Sequence, residues 1–198
     1  MTLPEVIRLD VAAPDDMEDL GRRLAAVLRP GDLVLLTGRL GAGKTTLTRG
    51  IGDGLGVRGP VTSPTFVLAR THPSAVGGAP LVHVDAYRLS SAAELDDLDI
   101  DFARSVVVME WGAGLVEGLA DSWLDIRIQR PEGAPAPARG RPTDAVEHPD
   151  EQARVAQRAG DQDDADEDDL VEPRTVLITA VGDRWAGIAS ALAGGSGS

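Results

Sequence analysis

Residues 38–45 read Gly-Arg-Leu-Gly-Ala-Gly-Lys-Thr. This glycine-rich segment lies between an apolar run, 32–37, and a stretch that reads as a helix, 44–55. A loop of this kind can hold a phosphate only when several backbone N–H groups converge on one point. Glycine permits both the tight turn and the close approach, and a helix N-terminus adds its aligned dipoles. The segment therefore demands a strand before it and a helix after it, the βα unit of an α/β domain.

The lysine is singular. Of the 19 basic residues, Lys44 is the one lysine and the rest are arginines. A compact ammonium suits a phosphate already wrapped by backbone better than a planar guanidinium does. Lys44 is expected to reach the β- and γ-phosphates, and the Thr45 hydroxyl to ligate Mg²⁺. Gly38, Gly41, Ala42, Gly43, Lys44, Thr45 and Thr46 form the expected cradle.

Around this centre the pattern predicts a strand over 6–11, then a helix that opens with Pro14, Asp15 and Asp16 and ends at Pro30-Gly31. The helix 44–55 is interrupted by Gly50, Gly52 and Gly54, which weaken its propensity. Further strands are expected over 65–71, 81–84, 105–109, 123–129 and 174–181, with a short helix near 92–98 capped by Ser91 and a closing helix over 183–193. The unbroken apolar runs at 81–84 and 105–109 fit strands covered on both faces.

Residues 131–173 are rich in Ala, Pro, Gly, Asp and Glu, and 131–172 carry −9 of the total charge of −13. They read as a disordered, solvated insert between the last two strands. The expected organisation is a core over 1–130, that insert, a strand and helix over 174–193 completing the same domain, and a flexible tail over 194–198.

Composition excludes several classes of function. With no cysteine there are no disulfides or thiolate metal sites, and His72, His83 and His148 are not spaced as a metal centre. Net acidity and few aromatic residues argue against direct gripping of nucleic acid. No run reaches the length of a membrane span and the first residues do not form a leader, so a cytoplasmic location is expected.

Two acids close apolar runs: Asp85 after Leu-Val-His-Val and Glu110 after Val-Val-Val-Met. Either can hold Mg²⁺, directly or through water, because ligands of open α/β sheets gather at the carboxyl ends of strands. Trp111 is a candidate to stack or gate beside the nucleotide, or to pack. His83, flanked by valines, is expected to be buried rather than catalytic. The usual guanine-reading motif needs a second lysine, so adenine is the default base and ATP the expected nucleotide.

Four short motifs stand in one order: Gly38–Thr46, Ser63-Pro-Thr-Phe66, His83-Val-Asp-Ala-Tyr-Arg88 and Glu110-Trp111. Together they resemble the TsaE (YjeE) family of bacterial ATPases of tRNA threonylcarbamoyladenosine biosynthesis. The resemblance runs to about Gln129 and resumes over 174–192, while the acidic insert departs from it. It implies a P-loop NTPase-like three-layer α/β fold, with a mostly parallel central sheet and a C-terminal β-hairpin plus helix. It also implies that Lys44, Asp85 and Glu110 are catalytic, that Thr45, Asp85 and Glu110 organise Mg²⁺, and that Ser63 and Thr65 belong to a switch-like loop near the γ-phosphate. Tyr87 and Arg88 are expected to support the site or a partner surface. TsaD and TsaB are the implied partners, with tRNA reached only through them. A P-loop small-molecule kinase and a non-hydrolysing nucleotide sensor are the competing readings.

Overall fold

The computed structural model describes residues 5–64, 67–89, 91–115, 119–130 and 172–193. Thr65 and Phe66, most of the acidic insert and the tail over 194–198 lie outside them.

The elements in chain order are β1 (Glu5–Val11), α1 (Pro14–Ala25), β2 (Leu33–Thr37), α2 (Lys44–Leu55), β3 (Ala69–His72), β4 (Leu81–Asp85), α3 (Ala92–Asp96), β5 (Val106–Glu110), β6 (Trp123–Gln129), β7 (Arg174–Val181) and α4 (Ile188–Ala193). Seven strands form one sheet in the order β1-β7-β6-β2-β5-β4-β3. The four central strands β6, β2, β5 and β4 are mutually parallel. The flanks are antiparallel: β7 runs against β6 and β1, and β3 against β4. The sheet is thus mixed, with its parallel part confined to the strands around the glycine-rich loop.

Alternation along these strands builds two cores. Val34, Leu36, Val106, Val108 and Ile126 point to one face, where α1, α2 and the C-terminal segment cover them with Leu20, Leu24, Leu47, Ile51 and Trp185. Leu33, Leu35, Val82, Val84, Val107 and Met109 point to the other, where the cover comes from Leu95 of α3 and from connecting segments bearing Leu98, Ile100 and Phe102. Parallel strands buried on both faces explain why 81–84 and 106–109 carry almost no polar residues.

Several boundaries differ from the sequence reading for identifiable reasons. α1 ends at Ala25, five residues before Pro30, and Leu28 reaches the core from the following turn. Of the strand expected over 65–71, residues 65 and 66 lie outside the described residues; beyond them Leu68 adopts a left-handed backbone (φ 62°) and the strand runs Ala69–His72. The closing helix is split: Asp183–Trp185 form a 3-10 turn, Gly187 turns at φ 79°, and α4 follows.

The three glycines of α2 prove to be contact points. A Cβ on Gly50 would fall 2.1 Å from the Glu18 carbonyl oxygen, and one on Gly54 would fall 2.5 Å from Cβ of Ala25. The two helices approach so closely that only glycine fits at these crossings, which offsets its poor helix propensity.

Candidate functional site

The glycine-rich loop joins the C-terminal end of β2 to the first turn of α2. Gly41 (φ 71°) and Gly43 (φ 104°) take left-handed conformations that disfavour side-chain-bearing residues. Ala42 is buried, and a Cβ on Gly38 would meet the Ile128 carbonyl at 2.9 Å, so the loop lies flat against the end of β6. The two long N-terminal helices are finished differently. α1 has Asp15 and Asp16 in its first turn, with Asp16 Oδ2 accepting from the Ala13 N–H at 3.0 Å. α2 has neither an acidic first turn nor a side-chain cap. Its leading amides and dipole suit an anion at that end.

Lys44 is almost fully buried, at 6% exposure. Its Nζ donates to the carbonyls of Gly38 at 3.1 Å and Arg39 at 3.4 Å, and lies 3.6 Å from Oε2 of Glu110. It also sits 4.6 Å from the centre of the Trp111 ring. Trp111 holds a left-handed backbone (φ 62°), and its N–H donates to the Leu36 carbonyl at 3.2 Å. That kink directs the indole across the ammonium and edge-on to Tyr87, with ring centroids 6.0 Å apart.

Asp85 and Glu110 end adjacent parallel strands as register partners and are both buried. Oδ1 of Asp85 accepts from the Tyr87 N–H at 3.0 Å, capping the 3-10 turn Ala86–Arg88. Oε1 of Glu110 lies 2.9 Å from Nε2 of His83. Thr45 and Thr46 open α2 half-buried, and among the described residues no hydrogen bond ties Thr45 to either carboxylate. The structure therefore brings Lys44, Glu110 and Trp111 into contact with Asp85 alongside. Ser63 lies exposed at the end of the preceding loop, and Thr65 falls outside the described residues.

The residue types are those a magnesium nucleotide would use. Mg²⁺ is ordinarily bound by one or two carboxylates together with phosphate oxygens and water; here Asp85 and Glu110 end adjacent strands and Thr45 lies in the first turn of α2. The turn carrying Gly41 and Gly43 and the uncapped helix start suit the phosphates.

Some contacts escaped the sequence reading. His83 is buried as expected, yet its ring meets Glu110. The signal was the two-residue spacing of His83 and Asp85, which puts both on one face of a strand. Glu172, counted within the insert, pairs instead with Arg130 (2.9 Å to Nε) and Arg174 (3.2 Å). Its carboxyl is held below the usual range, chiefly by the hydrogen bond from Arg130. Arg130 reaches to 4.0 Å of where a Cβ on Gly41 would lie, so this cluster borders the loop.

Residues 11–138 match the model of the family described as threonylcarbamoyl adenosine biosynthesis protein TsaE. A relative from Streptomyces coelicolor, named tRNA threonylcarbamoyladenosine biosynthesis protein TsaE, is 51% identical over 86% of this chain and 94% of its own length. One of the same name from Bacillus subtilis is 38% identical over 59% of this chain and 73% of its own. Among solved structures, the crystal structure of YdiB from Bacillus subtilis superimposes with a TM-score of 0.63 at 25% identity, covering 98% of this chain and 97% of that one.

Proposed function

Since this chain belongs to the TsaE family, we propose that it is an ATPase of tRNA threonylcarbamoyladenosine biosynthesis, binding and hydrolysing Mg-ATP to drive or reset a complex of TsaD- and TsaB-like partners. It reaches tRNA only through that complex, in keeping with its acidity.

The observation that carries this reading is the buried Lys44 ammonium, held between the Gly38 carbonyl and the Glu110 carboxylate at the mouth of a glycine turn. An ammonium with so few water contacts is preorganised for an incoming phosphate, because much of its desolvation cost is met within the fold. Gly38, Gly41, Ala42, Gly43, Thr45 and Thr46 would hold the phosphates. Thr45, Asp85 and Glu110 would hold Mg²⁺, which supplies charge neutralisation on the β- and γ-phosphates. Glu110 is also placed to orient a water, and Trp111 to shield the ammonium from solvent. Ser63 and Thr65 belong to the loop expected near the γ-phosphate.

Mg-ATP turnover of the purified protein, alone and with its partners, tests the proposal. Slow turnover that partners accelerate and Lys44→Ala abolishes is the expected result. Loss of ATP consumption unless an acceptor metabolite is added would instead establish a small-molecule kinase.

A further inference from the structure

His83 has no place in the chemistry assigned so far, although it is completely buried on β4, between β5 and the edge strand β3. It shares the α2-facing side of β4 with Leu81 and Asp85. Its Nε2 approaches Oε1 of Glu110 at 2.9 Å, while Oε2 of the same carboxylate faces Lys44 at 3.6 Å. The two oxygens of Glu110 are thereby divided, one toward the interior and one toward the glycine-rich loop.

The far side of the ring bears on its tautomer. Nδ1 is buried and has no hydrogen-bonding partner among the described residues, so a proton there would lack an acceptor in the interior, which is costly. A proton on Nε2 donates directly to the carboxylate. Retaining a polar ring among valines is otherwise unfavourable, and a leucine would fill the same space without an orphaned nitrogen.

We propose that His83 is a positioning residue, donating from Nε2 to Oε1 of Glu110 and so locking the carboxylate with Oε2 turned to the nucleotide. The inference rests on the reading of Glu110 given above. A carboxylate on a glutamate side chain has several rotatable bonds, and its work on a metal or a water depends on being held in one of them. His83 supplies that restraint from inside the sheet, where it cannot touch the nucleotide.

Two measurements test this. In nitrogen-15 NMR of the unliganded protein, the buried imidazole should show the Nε2-protonated tautomer, and Glu110→Gln should shift its resonances. An Nδ1-protonated ring, or one indifferent to that substitution, overturns the assignment. In kinetics, His83→Leu should lower kcat by about 10–100-fold with little change in KM. His83→Gln, which can present an amide N–H near the position of Nε2, should recover most of the loss, and thermal melting should show both variants folded. Unchanged kcat in a folded His83→Leu protein, or a loss confined to KM, refutes the positioning role. Absence of turnover in the unsubstituted protein with partners would instead remove the reading of Glu110, and the NMR result would still stand on its own.

Discussion

Asp85 and Glu110 stand directly opposite one another at the tips of β4 and β5, two buried carboxylates paired across parallel strands. Neighbouring strands lie about 4.8 Å apart, and like charges facing each other at that spacing destabilise a sheet. Lys44 offsets part of the repulsion through Glu110, whereas among the described residues Asp85 accepts from the Tyr87 amide alone. Under the proposed function, a cation held between the two carboxylates would relieve this repulsion.

Asp85→Asn should therefore leave the melting temperature unchanged or raise it, since the amide oxygen can keep the hydrogen bond from Tyr87 while the repulsion is removed. Mg-ATP turnover should fall, and the Mg²⁺ concentration for half-maximal rate should rise. Glu110→Gln should cut turnover by about 100-fold or more, in the range seen when a positioned acid–base group is lost, while ATP still binds through Lys44. Calorimetric titration alongside steady-state rates separates the two effects. A nucleotide sensor that works without hydrolysis would regulate its partner normally with Glu110→Gln.

The α1–α2 crossing is set by backbone contact. Gly50→Ala would drive a methyl group to within 2.1 Å of the Glu18 carbonyl oxygen, and α2 cannot give way without moving the glycine-rich loop at its head. A loss of about 2–3 kcal/mol is expected from overpacking, or roughly 4–12 °C in melting temperature for a domain of this size. Nucleotide affinity should weaken in parallel. Wild-type stability in this variant would show that the helices can separate freely.

His72, at the end of β3, has a buried Nε2 without a hydrogen-bond partner among the described residues. Burial first, then the proximity of His83 and Arg70, lowers its pKa below the usual value near 6.5. Above that value both folded and unfolded chains carry a neutral imidazole there. As pH falls through 6.5, the unfolded chain takes up the proton while the folded one resists it, so stability declines with acidification until the folded pKa is passed. Denaturant unfolding at a series of pH values from 7.5 to about 5 should show this slope, and His72→Phe should flatten it. An equal slope in both proteins would assign the acid sensitivity elsewhere.

Much of the framework was legible in the chain itself. The strand–glycine turn–helix unit, the two acids at strand ends and the limits of β6 and β7 follow from periodicity and from the chemistry of glycine, all local properties. The end of α1 was overextended because Val27 and Leu28 keep the apolar spacing after the helix has stopped. Leu68 was unreadable as a strand breaker, since a left-handed leucine is imposed by its surroundings and has no signature of its own.

Sequence by itself determined that a tight glycine-rich turn would join β2 to α2 around the one lysine, since the left-handed positions at Gly41 and Gly43 favour glycine and depend on local spacing alone. It could not say which side chains would surround that lysine. The order β6-β2-β5-β4 decided this, bringing Glu110 beside Lys44 across 66 residues of chain and setting His83 behind it. The physical reason is that strand order and register are settled by packing the whole sheet against its helices, and a contact between distant residues exists only once that packing has been chosen.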